Sequence, residues 1–100
     1  MSHLNPDLPE HPGYLLRTKL KNLDCTRAAA ARFMQISRQT LYEIIAEKQS
    51  VTPSAALRTG KLTGTSAKTW LDLQQAHDLE TLRRRDAEIL KHVPELGERW

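Results

Sequence analysis

The chain has 100 residues, 39% of them hydrophobic, 27% charged and 5% aromatic, which allows one domain with a modest, mostly aliphatic core. A formal net charge of +3 does not by itself establish nucleic-acid binding. The single Cys25 excludes an internal disulfide framework and fits a reducing cytoplasmic setting, and neither a signal peptide nor an apolar run of the roughly 18 residues a membrane helix needs is expected.

Residues 1–11 are polar and punctuated by Pro6 and Pro9, and read as a flexible lead. Pro12 suits the first turn of a helix over 12–21, in which Leu16, Leu20 and Leu23 recur at helical spacing. Thr26 is a candidate N-cap for a second helix, whose run Ala28 to Ala31 offers high helix propensity and little bulk, up to about Met34. Gln35 and Ile36 form a short connector, and Ser37 caps a third helix over 38–46 that should bury Leu41, Ile44 and Ile45. Thr52 followed by Pro53 is a helix start, predicting a fourth helix over 53–62 that buries Ala56 and Leu57. Gly64 ends it and Ser66 caps a fifth helix holding Trp70, Leu71 and Leu73 and continuing through Leu82. Ile89, Leu90 and Val93 suggest more helix up to Pro94. No strand pattern competes, so the fold class is all-α, with a domain over 12–82 and a helical extension or tail over 83–100.

Charge is unevenly placed. Residues 11–50 carry seven basic and three acidic side chains, a balance of +4, whereas residues 71–100 carry five basic and seven acidic ones, a balance of −2. The basic half contains the segment 26–46, in which two short helices and a tight turn have the pattern of a helix-turn-helix unit. Ala30 is small where the helices would cross, while Ile36, Leu41 and Ile44 face inward. The polar start of the second helix is then free to enter a major groove. Arg38 suits guanine and Gln39 suits adenine, each as a bidentate partner. Ser37 and Thr40 can bond phosphate or base edges, Thr26, Arg27 and Lys48 suit the phosphate backbone, and Tyr42 should face outward beside them. The same residues would also suit the solvated surface of an ordinary helical bundle.

Three segments carry a family resemblance. His11-Pro12-Gly13 with Leu15-Leu16-Arg17 resembles the opening "HPGEILRE" of the HigA-type antitoxins of the Xre (lambda-repressor/Cro-like) family. Ile36-Ser37-Arg38-Gln39-Thr40-Leu41 resembles their recognition segment "VSRQTLS". Thr52-Pro53 with Ala56-Leu57-Arg58, and Gly64-Thr65-Ser66 with Trp70-Leu71-Asp72-Leu73-Gln74, resemble "SPDMALRL…GTSPEFWLNLQ". The resemblance spans about two-thirds of the chain. It implies a five-helix lambda-repressor-like DNA-binding domain with a C-terminal helical extension. It also implies a homodimer on a palindromic double-stranded DNA operator, repression of its own toxin–antitoxin operon, and a RelE-like mRNA-cleaving toxin as partner. A stand-alone regulator of the same fold, or a helical protein-interaction module, are the alternatives.

The chain departs from the family at Gln35, where the turn usually has Gly. A left-handed Gln there costs about 1–3 kcal/mol. Ala46-Glu47 stands for a usual Asn-Gly, and Gly60 inside the fourth helix should cost about 1 kcal/mol against Ala. Trp70 is expected in the core. Leu79, Leu82, Ile89 and Val93 fall near a heptad seam interrupted at Asp86, either a dimer helix or a solvated tail. The run Arg83-Arg84-Arg85 reads as a solvated face and His11 as a cap of the first helix. His3, His11, His77 and His92 lack metal-ligand spacing. Without a phosphate loop, paired carboxylates or a nucleophile near a histidine, no enzyme, cofactor or metal is expected.

Overall fold

The computed structural model describes residues 9–97, so residues 1–8 of the expected lead and 98–100 of the expected extension lie outside the described residues. Six helices follow one another: α1 (Pro12–Asn22), α2 (Arg27–Met34), α3 (Arg38–Ile45), α4 (Pro53–Thr63), α5 (Ala67–Arg85) and α6 (Ala87–Lys91). Among the described residues there is no strand. Four helices open as their sequence dictates. The hydroxyls of Thr26, Ser37, Thr52 and Ser66 accept from the backbone N–H three residues on, at 3.0–3.2 Å, each satisfying one otherwise orphaned donor. At α1 the cap is His11, whose Nδ1 accepts from the Gly13 N–H at 2.9 Å, with Pro12 at the first helical position.

The core is aliphatic around one indole. Leu16 and Leu20 of α1, Ala30, Ala31 and Met34 of α2, Leu41, Ile44 and Ile45 of α3, then Val51, Ala56 and Trp70 form a single buried cluster. Trp70 is wholly enclosed, and its indole N–H donates to the Thr65 carbonyl at 3.2 Å. Leu23 and Leu57 lie outside the core, Leu57 against expectation. Leu23 is the C-cap of α1 and half exposed. Leu57 is 67% exposed, because Ala56 and Thr59, three apart, define the inward stripe of α4 and turn Leu57 away from it. Thr59 pays its desolvation locally, donating to the Ala55 carbonyl at 2.7 Å.

Two glycines permit close approaches. A β-carbon on Gly13 would overlap the Ile44 carbonyl oxygen, so α1 lies directly on the end of α3. A β-carbon on Gly60 would sit 2.8 Å from the Thr65 oxygen and 3.0 Å from the Ala67 nitrogen, so the mid-helix glycine lets the start of α5 cross α4. Buried Gln74 ties α5 to the α3–α4 loop: its Oε1 accepts from the Val51 N–H at 2.8 Å, and its amide donates to Asp78 at 2.9 Å.

Beyond Gln74 no residue of α5 is buried, and none of α6 is. The chain breaks between them at Asp86, so the expected seam does not lie on one continuous helix, and α6 ends at Lys91, short of Pro94. The arginine run is satisfied on the surface. Arg83 and Arg84 pair with Glu80 at 2.6 and 3.0 Å, and Arg85 pairs with Asp86 at 3.0 Å.

Candidate nucleic-acid interface

α2 and α3 form the helix-turn-helix unit, and the turn between them is a Schellman closure. The Ile36 N–H bonds back to Ala31 at 3.1 Å and the Gln35 N–H to Arg32 at 3.2 Å, with Gln35 left-handed at φ 57°, ψ 45°. The same closure recurs twice. Asp24 at φ 53° ends α1, with Cys25 bonding back to Leu20 at 2.9 Å. Glu47 at φ 63° ends α3, with Lys48 bonding back to Glu43 at 2.8 Å. Three helices thus place a non-glycine residue where glycine is least strained, and among the described residues only α4 uses one, Gly64 at φ 77°.

On α3 the two faces divide cleanly. Leu41, Ile44 and Ile45 are buried, while Arg38, Gln39 and Tyr42 are exposed. The exposed three, with Lys48 brought round by the closure at Glu47, line one shallow groove of about 410 Å³ together with Glu43 and Ala46. Arg27 joins them from α2, its guanidinium 5.7 Å from the centre of the Tyr42 ring, within range of a cation–π contact. Thr26 lies one residue earlier, its oxygen engaged as the cap of α2. Ser37 is also occupied: its oxygen accepts from the Thr40 N–H at 3.0 Å and its hydroxyl donates to Thr40 Oγ1 at 2.8 Å. Ser37 therefore holds the start of α3, and Thr40 keeps its own proton for an outside acceptor.

Sequence reasoning missed two residues of this site. Glu43 accepts from the Gln39 amide at 2.9 Å, fixing the rotation of that amide. The i,i+4 spacing was the available signal. Arg58, on α4, donates from one nitrogen to the carbonyls of Met34 and Gln35, both at 2.9 Å, and so braces the turn. Nothing local in the sequence points to a contact across 23 residues. Among the described residues no group of His, Cys, Asp or Glu is placed to hold a metal ion.

No protein-family model matches the chain. A curated relative, virulence-associated protein I of Dichelobacter nodosus, is 35% identical over 71 residues, covering 70% of this chain, which spans 66% of that relative's length. Among solved structures, the Pseudomonas aeruginosa antitoxin HigA with its higBA promoter is 32% identical, with a TM-score of 0.80, covering 90% of this chain and 99% of that one. The antitoxin GraA is 34% identical, with a TM-score of 0.82, covering 89% and 98%.

Proposed function

The chain belongs to the HigA-type antitoxin family of helix-turn-helix proteins, and on that premise we propose that it binds operator DNA as a homodimer, represses its own toxin–antitoxin operon and neutralises a RelE-like mRNA-cleaving toxin encoded beside it. The family is one of DNA-binding antitoxins and regulators, not enzymes. The observation that carries the DNA reading is the division of α3: Arg38, Gln39, Tyr42 and Lys48 share one open groove while the reverse face of the helix is buried.

In this reading α3 lies in the major groove. Arg38 forks onto guanine O6 and N7, and Gln39 reaches adenine with its amide already oriented by Glu43. Tyr42 meets a thymine methyl or a phosphate. Thr26, Arg27, Thr40 and Lys48 take phosphate oxygens and set the register, which carries affinity but no sequence information. Ser37 contributes through Thr40. One such helix buries too little for specific operator binding, so two copies read two half-sites about one helical turn apart. A relative solved together with its promoter DNA supports operator binding. The protein would act on the nucleoid in the bacterial cytoplasm. Among the described residues no helix is long and apolar enough to cross a membrane.

Mobility shifts at fixed salt on the DNA preceding its own reading frame test the first claim. A palindromic segment retained against excess scrambled competitor is expected, and equal affinity for both sequences overturns the reading. The toxin claim is tested by co-expression with the product of the adjacent gene. Rescue of growth and co-purification are expected, and a neighbour unrelated to mRNA cleavage leaves a stand-alone regulator.

A further inference from the structure

The groove along α3 holds an acid among its cations. Arg38 and Lys48 line it with Gln39, Tyr42 and Ala46, and Glu43 stands half-buried among them. No ion pair among the described residues involves Glu43. On a surface that meets phosphates such a carboxylate works against affinity. Its Oε1 takes a hydrogen bond from Nε2 of Gln39 at 2.9 Å, one turn back along the helix.

That bond settles which way round the Gln39 amide sits. A side-chain amide has a donor end and an acceptor end of nearly the same shape, and turning it over exchanges them. Left free, it can offer nitrogen to the acceptors of guanine, or oxygen and nitrogen together to the donor and acceptor of adenine. With the nitrogen held on the Glu43 side, the oxygen is fixed at the opposite end. The turned amide would set that oxygen against Oε1 of Glu43, two acceptors with no proton between them. One hydrogen of the nitrogen goes to Glu43, so its other hydrogen stays available for a base.

We propose that Glu43 is a specificity-determining residue: it pins the Gln39 amide with its oxygen toward the exocyclic group of the purine, which selects adenine and rejects guanine at that base pair. This rests on the reading of α3 as the helix in the major groove. Adenine meets the fixed oxygen with its N6 amino group, whereas guanine meets it with O6, and the two oxygens repel. Arg38 beside it needs no such device, because every nitrogen of a guanidinium donates and the side chain has no second way round. Glu43 acts through Gln39 and is a positioning residue. What it contributes is discrimination, gained against the repulsion that its charge brings.

The test is selection of bound duplexes from a randomised double-stranded DNA pool at fixed salt, by the full chain and by its Gln39→Ala, Glu43→Ala and Glu43→Gln variants. Gln39 is exposed and Glu43 half-buried, so circular dichroism should match the unaltered protein. Gln39→Ala marks the base pair in question by losing its preference there. The unaltered chain should favour adenine over guanine at that base pair by about tenfold. Glu43→Ala should cut this to about twofold while leaving the guanine chosen by Arg38 as it was. Glu43→Gln, whose amide oxygen still accepts from Gln39, should keep the preference. Added to Gln39→Ala, the Glu43→Ala change should do nothing more at that position. Affinity of Glu43→Ala for a scrambled duplex should hold or rise, since an anion has left the DNA-facing surface. An undiminished adenine preference in Glu43→Ala overturns the proposal and leaves the reading of α3 standing. So does a Gln39→Ala variant whose preferences match those of the unaltered chain. A Glu43→Gln variant as relaxed as the alanine one overturns it, and so does a Glu43→Ala variant that loses affinity for all sequences alike. An unaltered chain without base preference at any position overturns both this proposal and the operator reading.

Discussion

Arg58 donates to the backbone oxygen of Gln35 at 2.9 Å, so a side chain of α4 holds the residue on which the turn between α2 and α3 depends. The same nitrogen takes the Met34 oxygen at 2.9 Å. The last carbonyls of a helix have no partners within it, and Arg58 supplies one that is charged. The turn is therefore set by three helices, although the helix-turn-helix unit comprises only two. Arg58→Ala should lower stability by about 1–2 kcal/mol, read as a lower urea midpoint at unchanged slope. An unchanged midpoint would show that solvent replaces the guanidinium without loss.

Gln35 and Glu47 occupy the left-handed position of a helix-ending closure at φ 57° and 63°. Such a residue costs about 1–3 kcal/mol, of which glycine's added chain entropy takes back about 0.5–1 kcal/mol. Gln35→Gly should therefore raise the melting temperature, by the equivalent of about 1 kcal/mol, and Glu47→Gly should do the same. A fall in melting temperature for either would mean that its side chain stabilises the closure by more than the backbone strain.

Arg38→Ala with Gln39→Ala should abolish the operator-specific shift while leaving the circular dichroism unchanged, since both side chains are exposed and the Gln39 amide bonds within α3, to Glu43. The cost should be about 1–3 kcal/mol for each base pair read. Undiminished operator affinity in this double variant sinks the assignment of α3 as the reading helix.

Gly13→Ala forces a β-carbon onto the Ile44 carbonyl, a backbone atom that no side-chain rotation can move aside. A loss of about 3 kcal/mol or more is expected from such overpacking, with α1 displaced from α3. Calorimetry of the variant beside Tyr14→Ala, a change at a neighbouring exposed site, separates the clash from a general weakness of α1. Similar losses in the two would mean that the close approach relaxes freely.

Burial, and secondarily the nearby His77, lower the proton affinity of His11 below its ordinary value of 6.5, against the opposite pull of Glu47 and Asp78. Its Nδ1 already accepts from Gly13, so protonation at that atom dissolves the cap of α1. A histidine whose pKa is lower folded than unfolded leaves stability whole above the unfolded value. Stability then declines as the pH falls from there through the folded value. Unfolding free energy should accordingly drop as the pH falls below the ordinary histidine value of about 6.5, and His11→Asn, a cap that does not titrate, should flatten that slope. Equal slopes in the two proteins would assign the dependence to other groups.

The starts of α1 to α5 were legible in the sequence because each rests on a local device: a hydroxyl at the cap, or proline in the first turn. Trp70 and the inner face of α3 were legible for the same reason, since a 3.6-residue period needs no partner to be seen. The helix ends were harder to read, because Asp24 and Glu47 do the work usually given to glycine. Leu57 misled because hydrophobicity and inward direction part company on α4, where Thr59 is the residue that faces in. At the site, the shared outer face of Arg38, Gln39 and Tyr42 followed from periodicity, whereas Lys48 joins them through the closure at Glu47. The occupation of Ser37 by Thr40, three residues on, follows from its role as a cap, whereas the reach of Arg58 is a tertiary fact with no trace in the local pattern.

The division of α3 into a sealed face and an open one also bears on descent. Leu41, Ile44 and Ile45 hold the helix by contacts that do not involve Arg38 or Gln39. On the proposed reading, changes at those two positions redirect the protein to a different operator at almost no cost to folding, so that duplicated copies sharing one scaffold would cease to answer to each other's DNA within a few substitutions.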